Sequence, residues 1–252
     1  MASIMGTNNL YQLLFKGRYR PEDVQVSFSE ISNRKINAEL EAKLKDDWEK
    51  TLKSAAEKGI KVWDSQTYRL ENFRIESGKL QLDLGPIKFS VRVGLKKHRD
   101  EVEKLGFDYC SRGLYVPAII VASDGKYLMG KLSGKTLNER PVDFIGGVMS
   151  KDEIEVKTSR DIWKTIFREL DEEINIKETD IERAELVGAL TSKYSNVALV
   201  FFIKLKINCE EVKEKFRGRK DEELAELLCL DKQEMKDLLT KLDKRLFFDL
   251  LD

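Results

Sequence analysis

The stretch Leu114 to Ala122 constrains this chain more than any other. It is almost continuously apolar, and a strand with no polar side must be covered on both faces. Val197 to Ile207 is a second run of the same kind. With 252 residues the chain is long enough to supply the covering layers, as one large domain or two small ones. Between the two runs, Asp124-Gly125 predicts a turn and Lys126 to Lys131 a returning strand. Val142 to Ile145 then leads into Gly146-Gly147. A helix-like segment follows from about Thr158, and Ala184 to Leu190 reads as another strand. From Cys209 onward, Leu224, Leu227, Leu228, Met235, Leu238, Leu239 and Leu242 fall at helical spacing and predict helix.

The N-terminal part of the chain, up to Arg112, differs in texture. Val24 to Phe28 alternates like a strand, and Ala38 to Ala56 carries Leu40, Leu44, Trp48 and Leu52 four apart, with Gly59 as a stop. Tyr68 to Ile75 and Lys79 to Leu84 flank Ser77-Gly78 as a hairpin. Phe89 to Val93 reads as a further strand, and Arg99 to Leu105 as a short helix. The expected division is a strand-rich region with one long helix over 1–112, then a second unit over 113–252.

Composition removes several classes of function. Lys plus Arg and Asp plus Glu number 45 each, so no global field draws the chain to nucleic acid or to an anionic membrane. No run of 18 apolar residues exists, and Met1-Ala2-Ser3-Ile4 does not begin a signal peptide. Cys110, Cys209 and Cys229 form no CxxC and no expected disulfide framework, which fits a cytoplasmic setting. With His98 as the single histidine, a His-rich zinc site and HExxH are excluded. GxxxxGK[ST] and GxGxxG are also absent. Carboxylates with a divalent metal remain the best catalytic equipment.

Those carboxylates gather in Arg168-Glu169-Leu170-Asp171-Glu172-Glu173. With Ile162 set at zero and about 100° per residue, Trp163, Ile166, Phe167, Leu170 and Ile174 fall between about 40° and about 140°. Glu169 falls at about −20° and Glu173 at about +20°, both at the edge of that apolar face. Glu172 lies at about −80°, further from it. Two carboxylates one turn apart at a core boundary repel and are partly desolvated. A divalent cation relieves both costs, and oxygen-only ligands suit Mg²⁺ or Mn²⁺. The plain alternative is a solvated acidic face in a chain rich in Lys and Glu.

The sequence Arg168-Glu169-Leu170-x-Glu172-Glu173-x-x-Ile176, preceded by Gly146-Gly147, resembles the Nudix box: Gly, five residues, Glu, seven residues, Arg-Glu-U-x-Glu-Glu-x-Gly-U, with U apolar. The interval from Gly147 to Arg168 is half as long again as in the box, which implies a loop insertion. Counted back from Arg168, the upstream glutamate position holds Arg160, and Glu153 or Glu155 could substitute only through the loop. Asn175 stands where the box has its helix-ending glycine, and Asn tolerates the left-handed backbone needed there. Further matches are Trp48, Tyr68-Arg69-Leu70, Gly94-Leu95-Lys96-Lys97-His98-Arg99-Asp100 and Val142-Asp143-x-x-Gly146-Gly147. Their order is similar to that of the divergent Nudix subgroup acting on UDP-glucose and UDP-galactose.

The resemblance implies an α/β (α+β) fold, an α/β/α sandwich with a mixed sheet behind a strand-rich N-terminal region. It implies Mg²⁺-dependent hydrolysis of the pyrophosphate bond of UDP-sugars to UMP and sugar 1-phosphate, with Mn²⁺ as an alternative ion. Glu169 and Glu173 would be metal ligands and Glu172 a further ligand or base. Gly146 and Gly147 would let the backbone approach the pyrophosphate, and Arg99 would contact phosphate or uracil. The expected partner is a small-molecule nucleotide, bound by a monomer or homodimer. Two other readings stay open: another nucleoside diphosphate derivative such as ADP-ribose, or a catalytically silent nucleotide-binding module, as Arg160 suggests.

Overall fold

The computed structural model of the chain describes residues 11–134, 141–192 and 196–251. The Met1-Ala2-Ser3-Ile4 segment lies outside them. The centre of the molecule is formed by the two apolar runs. β5 (Leu114–Val121) and β10 (Val197–Leu205) pair in parallel, with Ala118 opposite Phe201 and Ile120 opposite Ile203. Parallel neighbours in mid-sheet are covered on both sides. Leu114, Val116, Ala118 and Ile120 point into one apolar cluster with Leu199, Phe201 and Ile203, while Ile119, Ala198 and Val200 belong to another.

The sheet grows outward from that pair. β9 (Ile181–Ser192) runs antiparallel to β10, and β1 (Tyr11–Tyr19) antiparallel to β9 at one edge. On the other side come β6 (Tyr127–Leu132) and β11 (Leu224–Leu230), and the short β7 (Val142–Asp143) and β8 (Ile145–Val148) pair with β6 and β5. The result is a mixed eight-stranded sheet. One face is covered by α4 (Ser159–Ile174), α5 (Cys209–Arg217) and a small sheet. That small sheet is ordered β2 (Val24–Phe28), β4 (Lys79–Lys88), β3 (Gln66–Glu76). The opposite face is covered by α6 (Lys232–Lys241) and α7 (Arg245–Asp249) through Met235, Leu239, Phe247 and Phe248. The architecture is a mixed α+β fold with helices on both sides of the sheet. A third cluster joins α1 (Ala38–Glu57) to α2 (Phe89–Lys97) and α3 (Arg99–Leu105) through Leu40, Leu44, Leu95 and Val102. β1 belongs to the N-terminal region and yet completes the large sheet.

Three expectations are corrected. Phe89 to Val93 begins a helix, because helical pitch turns Arg92 inward to donate from Nη1 to the Leu114 carbonyl at 3.0 Å and lays Gly94 against Leu44. Leu224 to Leu230 is a strand, because β6 offers an open edge and pairs with it from Leu132 to Tyr127. Backbone pairing there outweighs a helical leucine spacing. Cys209 and Cys229 form a disulfide, with Cα atoms 6.4 Å apart, tying the start of α5 to β11. Cys110 is free and buried. No helix among the described residues is long and apolar enough to cross a membrane.

Candidate active site

α4 is the element that places the acidic cluster. Its N-terminus is closed by a capping box between Thr158 and Asp161, which satisfies backbone N–H groups that lack helical partners. Trp163 packs edge-on against Phe201 at 5.1 Å between ring centroids, and Ile162, Ile166, Leu170 and Ile174 are fully buried. The helix stops at Asn175, whose backbone is left-handed at φ 56°, ψ 35°. Lys220 and Asp221 donate their backbone N–H groups to the Glu172 carbonyl, at 3.0 and 3.3 Å, and so bring the turn before β11 onto the end of α4.

With α4 seated in this way, the two edge glutamates are pressed into the protein. Glu169 is 8% exposed and Glu173 3%. Burial pushes the Glu169 carboxyl up to about 8, against the opposing pull of Arg168, with Glu153, Glu172 and Glu223 adding to the rise. Glu173 is raised well above the carboxylate range by burial and then by Glu169, Glu223 and Asp221, offset in part by the Gly146 N–H it accepts. Both also lie in the last turns of a helix, where the macrodipole disfavours negative charge. The pair is therefore expensive in electrostatic terms, and only Glu169 has a cationic partner.

That partner is Arg168. Its Nη2 donates to Glu169 Oε1 and Glu153 Oε2, both at 2.6 Å, and its Nη1 to Glu172 Oε2 at 2.7 Å. Its Nε is buried with no hydrogen-bond partner. Three carboxylates are thus drawn around one guanidinium. Among the described residues no three acidic, histidine or cysteine groups already enclose an ion-sized point. The donor set itself is all carboxylate oxygen, which suits a hard divalent cation such as Mg²⁺ or Mn²⁺.

The glycine pair faces these carboxylates. Gly146 has φ 141°, and a Cβ there would overlap the Val116 carbonyl of the neighbouring strand. A Cβ on Gly147 would overlap the Glu169 carboxylate itself. The two glycines let β8 lie close over α4 and aim the Gly146 N–H at Glu173.

Glu169, Glu172, Glu173, Gly146 and Gly147 are thus brought together. Arg99 is not: it sits on α3 and pairs with Glu103 at 2.6 Å, within the helical cluster away from α4. His98 binds Asp47 at 2.9 Å and braces α1. Tyr68 is core, Phe73 packs against the same core, and Trp63 is exposed.

Two acids enter the site that the sequence reading did not place. Glu153 stands six residues after Gly147 and reaches Arg168, while Arg160 is exposed in the first turn of α4. Counting forward from the glycine, not back from Arg168, would have found Glu153, with the inserted residues falling between it and α4. The second acid is Glu223, just before β11, which acts electrostatically on both Glu169 and Glu173. Its neighbourhood was assigned to a helix, so no local signal pointed to it.

No protein-family model matches this sequence, and no curated protein matches it. Solved structures that the chain is similar to include a C. elegans Ap4A hydrolase in a binary complex, at 13% identity and TM-score 0.39, over 54% of this chain and 92% of that one. A MutT protein from Methanosarcina mazei Go1 aligns at 16% identity and TM-score 0.33, covering 54% and 93%. A NUDIX-family hydrolase from Clostridium perfringens aligns at 18% identity and TM-score 0.30, covering 56% and 99%. At these scores the likeness names neither a family nor an activity.

Proposed function

We propose that this chain is a Nudix-type diphosphatase that hydrolyses the pyrophosphate bond of a nucleoside diphosphate linked to a second group, with UDP-sugars as substrates and UMP and sugar 1-phosphate as products. The observation that carries the reading is the buried pair Glu169 and Glu173 beneath the Gly146-Gly147 strand, two carboxylates whose charge only Arg168 offsets. The choice of UDP-sugar is supported by the order of the motifs from Trp48 through Gly94–Asp100 to the acidic helix.

In this reading Glu169 and Glu173 hold Mg²⁺ or Mn²⁺, which supplies Lewis-acid stabilisation of charge on the pyrophosphate oxygens. Burial keeps the two side chains in fixed rotamers, so little ordering is left for the moment of reaction. Arg168 orients Glu169 from one side, and the Gly146 N–H orients Glu173 from the other. Glu172, with its side chain 34% exposed and oriented by Arg168, is placed to take the proton of an attacking water. Glu153 completes the ring around Arg168, and its presence favours an enzyme over a silent binding module.

The test is direct. Purified protein is incubated with UDP-glucose and Mg²⁺, and UMP is followed by chromatography beside a panel of other nucleoside diphosphate derivatives. Release of UMP that disappears in Glu173→Gln supports the reading; no product from wild type, or full turnover by that variant, overturns it.

A further inference from the structure

The acids around the end of α4 can be sorted by whether a cation accompanies them. Asp171 pairs with Lys177 and Lys220, Asp143 with Lys244, and Arg168 serves Glu153, Glu169 and Glu172 together. Asp221 accepts the Glu223 N–H at 3.0 Å. Two further carboxylates, Glu173 and Glu223, have no cationic partner among the described residues. Glu173 is 3% exposed and receives only a backbone N–H. Glu223 is half-buried, and its carboxylate has neither an ion pair nor a hydrogen bond among the described residues. A buried carboxylate without a counter-charge is costly, and two such groups facing each other compound the cost.

Glu223 is held in that position by backbone contacts. Its carbonyl accepts the Ser133 N–H at 2.8 Å at the end of β6. On the other side Lys220 and Asp221 are fastened to the Glu172 carbonyl. The next residue, Leu224, begins β11 and packs over Gly130, where a Cβ would collide with its side chain. The turn is thus fixed at both ends, and the Cys209–Cys229 disulfide closes the segment that carries it. Glu223 raises the proton affinity of both Glu169 and Glu173, which places it in electrostatic reach of each.

We propose that Glu223 is the third carboxylate of the cation site, completing with Glu169 and Glu173 an all-oxygen set for a divalent ion contributed by two separate elements. The inference rests on the diphosphatase reading above. Ligation requires Glu169 to turn from Arg168 toward the other two side chains, since the three do not enclose a point as they stand. A set of this composition suits Mg²⁺ or Mn²⁺ with water or phosphate oxygens filling the remaining positions.

The probe is Mn²⁺ itself, titrated without substrate and followed by calorimetry and by loss of the free-ion EPR signal. Glu223→Gln is expected to weaken Mn²⁺ binding at least about tenfold, the scale on which even outer groups of metal sites act. Its metal-free form should melt above wild type, because a repulsive charge is gone, and should gain less on adding Mn²⁺. Glu226→Gln, an exposed residue of β11 paired with Lys131, should match wild type in both measurements. Mn²⁺ affinity within twofold of wild type in a natively folded Glu223→Gln overturns the proposal. If that variant does not fold, Glu223→Asp decides: reduced Mn²⁺ affinity supports the role, unchanged affinity refutes it. Loss of binding in Glu173→Gln without loss in Glu223→Gln leaves the diphosphatase reading standing and removes only this inference. Wild type that binds no Mn²⁺ removes both.

Discussion

The two ends of α4 treat the same functional group in opposite ways. At the N-terminus Asp161 is also buried, and burial alone would raise it, yet it lies well below the usual carboxylate range. It accepts from Lys164 Nζ at 2.8 Å, from the Thr158 N–H at 2.8 Å and from the Lys157 N–H at 3.0 Å, at the end of the helix where the dipole favours a negative charge. At the C-terminus Glu169 and Glu173 have burial, mutual repulsion and the dipole against them. A carboxylate that serves the fold is surrounded by donors; a carboxylate kept for a ligand is not. The contrast within one helix separates the two roles more clearly than burial does.

The largest effect should come from the C-terminal end. Glu173→Gln is expected to lower kcat/KM by about three orders of magnitude, as losing several kcal/mol of charge stabilisation would. The same variant should be more stable than wild type in metal-free buffer. A loss of both activity and melting temperature would break the contrast, because it would make Glu173 structural. Gly147→Ala should come next, since its Cβ would displace the Glu169 carboxylate. A severe loss of activity is expected with a stability cost of roughly 1–3 kcal/mol, typical of overpacking, read from steady-state kinetics and urea denaturation together.

Acidity gives a third comparison with opposite signs. Glu169 is raised to about 8 in the folded state, so between the unfolded value near 4.3 and that point the native protein binds more protons than the unfolded chain. Metal-free stability should therefore fall by up to a few kcal/mol as pH rises through that window, and Glu169→Gln should flatten the slope. Asp161 is depressed, so its contribution is present above about pH 4 and is lost as pH falls below it. Melting curves of wild type, Glu169→Gln and Asp161→Asn across pH 3 to 9 separate the two. The smallest effect is Asp161→Ala at neutral pH, a loss of about 1–2 kcal/mol as for other N-terminal caps, with kcat unchanged.

Much of this was legible in the sequence because it is a matter of local geometry. A pitch of about 100° per residue put Glu169 and Glu173 at the rim of the apolar face, and Asn175 marked the stop. The continuous apolar runs announced the buried centre of the sheet. What stayed hidden depends on partners far along the chain. β11 is a strand because β6 has an edge to offer, a fact absent from Leu224 to Leu230 itself. Phe89 to Val93 alternates like a strand and coils because Arg92 finds the Leu114 carbonyl. Glu223 joins the site, and Cys209 joins Cys229, through the same long-range return of the chain.

The pairing of β1 with β9 has a consequence for how the molecule comes into being. Tyr19 meets Leu186, and Tyr11 meets Ser192. During synthesis β1 leaves the ribosome first, and most of the chain must follow before its neighbour exists. At about 5–20 residues per second that is roughly 10–30 s with an unpaired strand exposed to other chains. Slow translation or high expression should therefore cost yield through β1. Silencing its outward face, for instance at the exposed Leu13, should recover soluble protein without touching the acidic site.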